Sequence, residues 1–283
     1  MKKLLAVVAL ASAVAACQQA GHPDGSSRSS PAAGPPVVAV SQKTASPTAA
    51  PTAAPADAES ADFLRRYDLA DLLQNKEGQP EGQVEAMNGF YGPDHYRLEV
   101  ALLRMERDPQ HPNHYLVQGK DRYKGVITPL AGSLTLTQVR VRQQTVIDEN
   151  GKPEVTKAYA VSGTYELRED PTTHGAGVFR GRVAVDMMLY EGRPVGESLS
   201  DSLSKGGMTT FDGTWTSLST GQRKPATWVA NLFNYQGPQI ASDFFIGERD
   251  PSINPKYAKL GWNKFWENDE WWTDSPGTLA SSK

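Results

Sequence analysis

The sequence predicts a mainly β protein: an antiparallel meander, barrel-like or a strongly curved sheet, with a short helix at each end. Three observations carry this. From Val84 onward apolar residues recur with period two, the mark of half-buried strands. Turn signals are frequent, and Asn150-Gly151 is the strongest, because both positions suit the positive φ of a two-residue hairpin. All 24 aromatic residues (6 Trp, 10 Tyr, 8 Phe) fall in 63–283, so only that stretch can build a sizeable core. β architectures of about 200–250 residues are often one domain, and 61–283 reads as a single β domain with flanking helices.

The chain opens differently. Residues 1–16 have the layout of a secretory signal peptide: Lys2 and Lys3, then an apolar run from Leu4 to Ala16 with small residues at its end. That run falls short of the about 20 residues a membrane span needs. Val14-Ala15-Ala16-Cys17 resembles a bacterial lipobox, whose cysteine becomes the first residue and carries acyl chains such as palmitate. The resemblance implies lipidation of Cys17, attachment to membrane lipid through more than one chain, and a place in the bacterial cell envelope. Gln18, standing where an Asp would favour the inner membrane, points to the outer membrane. Cys17 is the only cysteine, so no intramolecular disulfide can form, and an acylated Cys17 leaves the body without a thiol for catalysis or zinc.

Residues 17–60 read as the lipidated cysteine and a disordered tether rich in Pro, Ala, Ser and Thr, with a four-residue repeat from Pro47 to Pro55. Such composition cannot bury enough apolar surface to offset folding entropy. Ala61–Asn75 carries Phe63, Leu64, Tyr67, Leu72 and Leu73 at helical spacing, with Ser60 or Asp62 as N-cap.

The strands follow. Tyr96, Leu98, Val100 and Leu102 alternate with Arg97, Glu99 and Ala101, and then Leu103 and Met105 take the other parity, which predicts a β-bulge. Ser133–Arg142 behaves likewise, with Leu134 and Leu136 followed by Val139 and Val141. Beyond Asn150-Gly151, Val155, Tyr159, Val161, Tyr165 and Leu167 predict a long half-buried strand, and Phe179 to Leu189 another. Further strands are expected near Tyr115–Lys120, Val195–Leu203, Thr209–Thr216, Thr227–Tyr235 and Asp243–Glu248, nine or ten in all. Asn254-Pro255 opens a last helix with Tyr257, Leu260, Phe265 and Trp266 as its stripe.

Gly89-Phe90-Tyr91, Gly163-Thr164-Tyr165 and Gly213-Thr214-Trp215 share one theme. Glycine inside a strand marks a bend or a close backbone approach, and a nearby aromatic covers the gap. The theme resembles the Gly-x-Trp habit of calycin barrels, the lipocalin and avidin group. That resemblance implies a barrel architecture and carries over no ligand residue.

Chemistry is sparsely signalled. A formal charge of −3 gives no basic footprint for nucleic acid. Ser202-Leu203-Ser204-Lys205 matches Ser-x-x-Lys but lacks its partner motifs, so chance accounts for it. His111 and His114, with His95 as a third candidate, form the one histidine set that could hold zinc, yet the loop is Pro-bounded and no metal or other cofactor is expected. Carboxylates such as Glu248 and Asp250 could serve acid–base work only if the fold pairs them. Trp262, Trp266, Trp271 and Trp272 crowd the C-terminus, where Trp suits packing or a ligand platform equally. Packing is the expectation for Trp262 or Trp266, and exposure for Trp271 or Trp272. The function expected is a lipid-anchored, non-enzymatic binding, assembly or structural module with an envelope protein or glycan as partner. The alternative is a glycan or peptidoglycan hydrolase whose carboxylates the fold assembles.

Overall fold

The computed structural model describes residues 57–74, 86–147, 150–237, 255–265 and 270–273. Cys17 and its lipobox, the tether to residue 56, the strand expected at Asp243–Glu248, Asp250 and Trp266 lie outside them. Among the described residues nine antiparallel strands make one sheet: β1 (Met87–Tyr91), β2 (Tyr96–Arg107), β3 (His114–Tyr123), β4 (Val126–Ile147), β5 (Pro153–Glu169), β6 (Gly177–Tyr190), β7 (Arg193–Gly196), β8 (Thr209–Ser217) and β9 (Arg223–Val229). Their order is β5-β4-β3-β2-β1-β9-β8-β6-β7, and β5 also pairs with β6. That pairing closes an eight-stranded ring, while β7 pairs with the end of β6 that β8 does not reach. Eight strands leave an interior that side chains fill or that holds one small ligand.

Both predicted parity changes are bulges, at Leu102/Arg104 between β2 and β3 and at Leu136/Gln138 between β4 and β5. The glycine–aromatic theme also acts as expected. A Cβ on Gly163 would stand 2.0 Å from the Thr135 carbonyl oxygen, and one on Gly213 would stand 2.1 Å from that of Arg180. Neighbouring strands touch backbone to backbone there, and Tyr165 and Trp215, two residues on, share the same inward face. The barrel's middle is solid: Phe211 stacks on Trp228 at 5.1 Å, with Tyr165 and Phe179 edge-on to that indole.

Several elements depart from expectation. The N-terminal helix is two, α1 (Ala58–Arg66) and α2 (Ala70–Leu73). Asp57, not Ser60 or Asp62, caps α1, and the break falls where the Asp68 carboxylate accepts from Ala70 N–H. Ser60 is instead buried, its Oγ accepting from Val139 N–H. Leu64, Leu69 and Leu73 join the barrel core, and Tyr115 OH accepts from Leu69 N–H. The helices therefore close the barrel end that holds Met105 and Tyr115. Asn150-Gly151 lies in a turn, but the register Ile147↔Pro153 makes that turn five residues, not two. Val141 and Val155 are 50 % and 65 % exposed, because this hairpin outruns the core. Of the strand expected at Val195–Leu203 only Val195 and Gly196 are extended, as the end of β7, and the strand expected at Thr227–Tyr235 is instead Arg223–Val229.

The C-terminal segment, with α3 (Pro255–Ala258) and a 3-10 turn at Trp262–Lys264, lies on the barrel's outer flank. Trp262 is 0 % exposed and donates Nε1–H to the His95 carbonyl at 2.9 Å. With Phe90, Val229, Leu232, Tyr235 and Tyr257 it forms a second apolar cluster. Trp271, expected on the surface, is buried with its ring 5.1 Å from the Arg122 guanidinium; Trp272 is half-buried.

Candidate functional site

The end opposite the helices is open. A cavity of about 490 Å³ enters the barrel there, lined by the last residues of β1, β3, β5 and β8, the first of β2, β4, β6 and β9, and the β5–β6 and β8–β9 loops. Its floor is Leu98 and Phe179, the latter resting on Trp228 at the centre of the core. Tyr91, Tyr123 and Trp215 form aromatic walls, with Tyr91 4.5 Å from Tyr123 and 5.6 Å from Trp215, centroid to centroid. At the rim, Lys224 Nζ lies 5.1 Å from the Tyr91 ring, and Lys124 Nζ lies 5.3 Å from that of Tyr123. A pocket of this size, mostly apolar with a few convergent polar groups, fits a small ligand.

Two of the polar groups in the lining are carboxyls. Asp121 on β3 is 1 % exposed and Glu169 at the end of β5 is 8 % exposed. β4 runs between them, pairing Thr128 with Asp121 and Leu130 with Glu169. Glu169 Oε2 accepts from Trp215 Nε1–H at 2.8 Å and from Gly177 N–H. The β5–β6 loop brings that amide within reach: Asp170 accepts from Thr172 N–H, and Gly175 takes a φ of +81°. Among the described residues no donor reaches Asp121 Oδ2.

Two bare carboxylates would repel, and a shared proton resolves this by letting one carboxyl donate to the other. Burial pushes the Asp121 carboxyl well above the usual aspartate value, and the charge of Glu169 and the hydrogen bond to it push the same way. Burial also raises Glu169, against the opposing pull of the hydrogen bonds from Trp215, Gly177 and Asp121. The chemistry is a neutral acid bonded to a carboxylate, one buried negative charge with no ion-pair partner among the described residues. Burial, with the neighbouring Tyr123, Glu169 and Asp121, raises the Tyr91 hydroxyl too, so it stays a phenol.

The sequence-predicted candidates lie elsewhere. His111 Nδ1 is 3.0 Å from Asp108 Oδ2 in an exposed loop, and His114 begins β3 at the helix-capped end. His95 sits at the opposite end of β2, so it does not join them. Among the described residues no three His, Cys, Asp or Glu side chains are grouped for a metal. Trp262 and Trp271 are packed against the flank and offer no open platform. Ser202 and Ser204 both donate to Oδ2 of Asp186, which is fully buried. Lys205 is exposed, so the Ser-x-x-Lys match has no base in place.

Asp121 and Glu169 are the residues that the sequence did not single out. Glu169 continues the inward parity of Tyr165 and Leu167, and Asp121 that of Val117 and Tyr123. A carboxyl in an inward slot was the available signal. No protein-family profile, curated protein or solved structure matches this chain, so its fold and site rest on its own geometry.

Proposed function

We propose that this protein is a lipid-anchored envelope module that binds a small molecule in the open end of its barrel. The observation that carries the reading is the cavity of about 490 Å³, apolar at its floor and aromatic at its walls, with two buried carboxyls in its lining and polar side chains around its rim. The lipobox at Val14–Cys17 and the Pro/Ala tether support an anchored cup that reaches from the membrane, the outer one on the reading of Gln18. The hydrolase alternative is less well supported. Glycosidase carboxyls stand about 5–5.5 Å apart for retention, or about 6.5–9.5 Å for inversion. Asp121 and Glu169 instead hydrogen-bond each other.

The neutral fluorophore N-phenyl-1-naphthylamine tests the cup. One molecule per chain is expected to bind with enhanced emission. Ala176→Phe, which projects a ring from a buried lining position, should weaken binding about tenfold, the loss expected when a shaped pocket is filled. No binding to the wild type would end the reading. Anchoring has its own test: a metabolically supplied fatty acid should label the wild type and leave Cys17→Ser unlabelled. Equal labelling of both would remove the lipid from the proposal.

A further inference from the structure

From the geometry of the acid pair we infer that the cup selects ligands carrying a protonated amine, seated against Asp121 and Glu169 with an apolar body between the aromatic walls. The inference rests on the cup reading and adds the ligand's chemistry. Three observations converge on it. Asp121 Oδ2 is a buried acceptor with no donor among the described residues, in a residue that lines the cavity. Glu169 is held at the same place by Trp215 and Gly177, so its position is set before any ligand arrives. The cationic side chains that line the cavity, Lys124 and Lys224, lie over aromatic rings at its mouth, and neither forms an ion pair with the two carboxyls among the described residues.

A buried negative charge without a cation is costly, and a charge-assisted hydrogen bond is about twice as strong as a neutral one. An ammonium supplies both missing parts at once: three donors, and the positive charge that the shared proton now provides in part. A ligand hydroxyl supplies a donor alone, and a ligand carboxylate adds like charge. The electron-rich faces of Tyr91, Tyr123 and Trp215 favour a cation passing or resting beside them as well. The order of preference for one apolar body is therefore amine, then alcohol, then acid.

The test uses three naphthalene probes, 2-(1-naphthyl)ethylamine, 2-(1-naphthyl)ethanol and 1-naphthylacetate, each displacing N-phenyl-1-naphthylamine from the purified protein. The amine is expected to displace it at a concentration at least about tenfold below the alcohol, the size of one charge-assisted contact, and the acid is expected to be the weakest. Asp121→Asn and Glu169→Gln keep the shape and a donor–acceptor contact between the two positions. Each should bring amine and alcohol to within about threefold, and a melting temperature no lower than that of the wild type checks that the variant is folded. If the wild type takes up the fluorophore but treats amine and alcohol alike, this inference is overturned and the cup reading stands. If the wild type takes up no fluorophore, both fall. Should either variant lose the fluorophore, the wild-type ratio of amine to alcohol decides the matter alone.

Discussion

Replacing Trp262 with alanine is expected to cost about 3–5 kcal/mol of stability, the range for deleting a large, fully buried aromatic. Its indole is 0 % exposed, 5.1 Å from the Phe90 ring, and its Nε1–H fills the His95 carbonyl. Alanine leaves a cavity and an unsatisfied acceptor together. The damage should spread, because Trp262 holds the C-terminal segment over the outer face of β2. Beneath that segment Arg97 and Arg122 both hydrogen-bond to Glu99, at 2.7–2.8 Å, with Phe265 near Arg97 and Trp271 over Arg122. Trp272→Ala is a useful contrast. Trp272 is half-buried, and the contact it makes with Lys120 uses its backbone carbonyl, which alanine keeps. Its cost should stay below about 1 kcal/mol, near the range of surface substitutions. Denaturant midpoints at constant m-value measure both. A loss under about 1 kcal/mol for Trp262→Ala would show that the flank cluster does not hold the segment.

That segment also explains what the sequence concealed. Period two placed Leu98, Val100 and Leu102 inward correctly, and the shifts after Leu102 and Leu136 announced real bulges. The same alternation puts Arg97, Glu99 and Ala101 on the opposite face, and all three are buried there too. Alternation reports which residues share a face, not what later covers that face. Nothing local to β2 encodes a cover that arrives more than 150 residues later. The strand expected at Val195–Leu203 stops at Gly196 for another reason: Ser202 and Ser204 turn inward to satisfy the buried Asp186. The site was legible only in halves. Inward parity extends to Asp121 and to Glu169 separately, but their meeting depends on the registers of two ladders, Asp121↔Thr128 and Leu130↔Glu169. Those registers are properties of the closed barrel, and no window of sequence contains both acids.

The stability of the wild type is expected to fall as pH rises above about 4, and Asp121→Asn should remove much of that fall. In the unfolded chain Asp121 loses its proton near the ordinary aspartate value of 3.8, whereas in the native state it keeps it to a much higher pH. Between those limits the native state binds the extra proton. Stability from this group is thus fully present below the unfolded value and lost as pH climbs towards the native one, by about 1.4 kcal/mol per pH unit. Glu169 and Asp186, both raised by burial, act with the same sign. Glu166, held down by its hydrogen bonds from Arg180, has the opposite sign, and its contribution is lost only on acidification below the usual glutamate range. Asparagine cannot ionise, and its amide can still donate to Glu169. Urea denaturation of both proteins at several points from about pH 4 to pH 8 should show the variant gaining on the wild type as pH rises. A difference that stays constant across that range would mean that Asp121 is ionised in the native state at neutral pH. A variant that is more stable at neutral pH but indifferent to amines would tie the two properties to one group. Sites kept for function commonly sacrifice stability, and a buried acid without a cation is a direct way to do so.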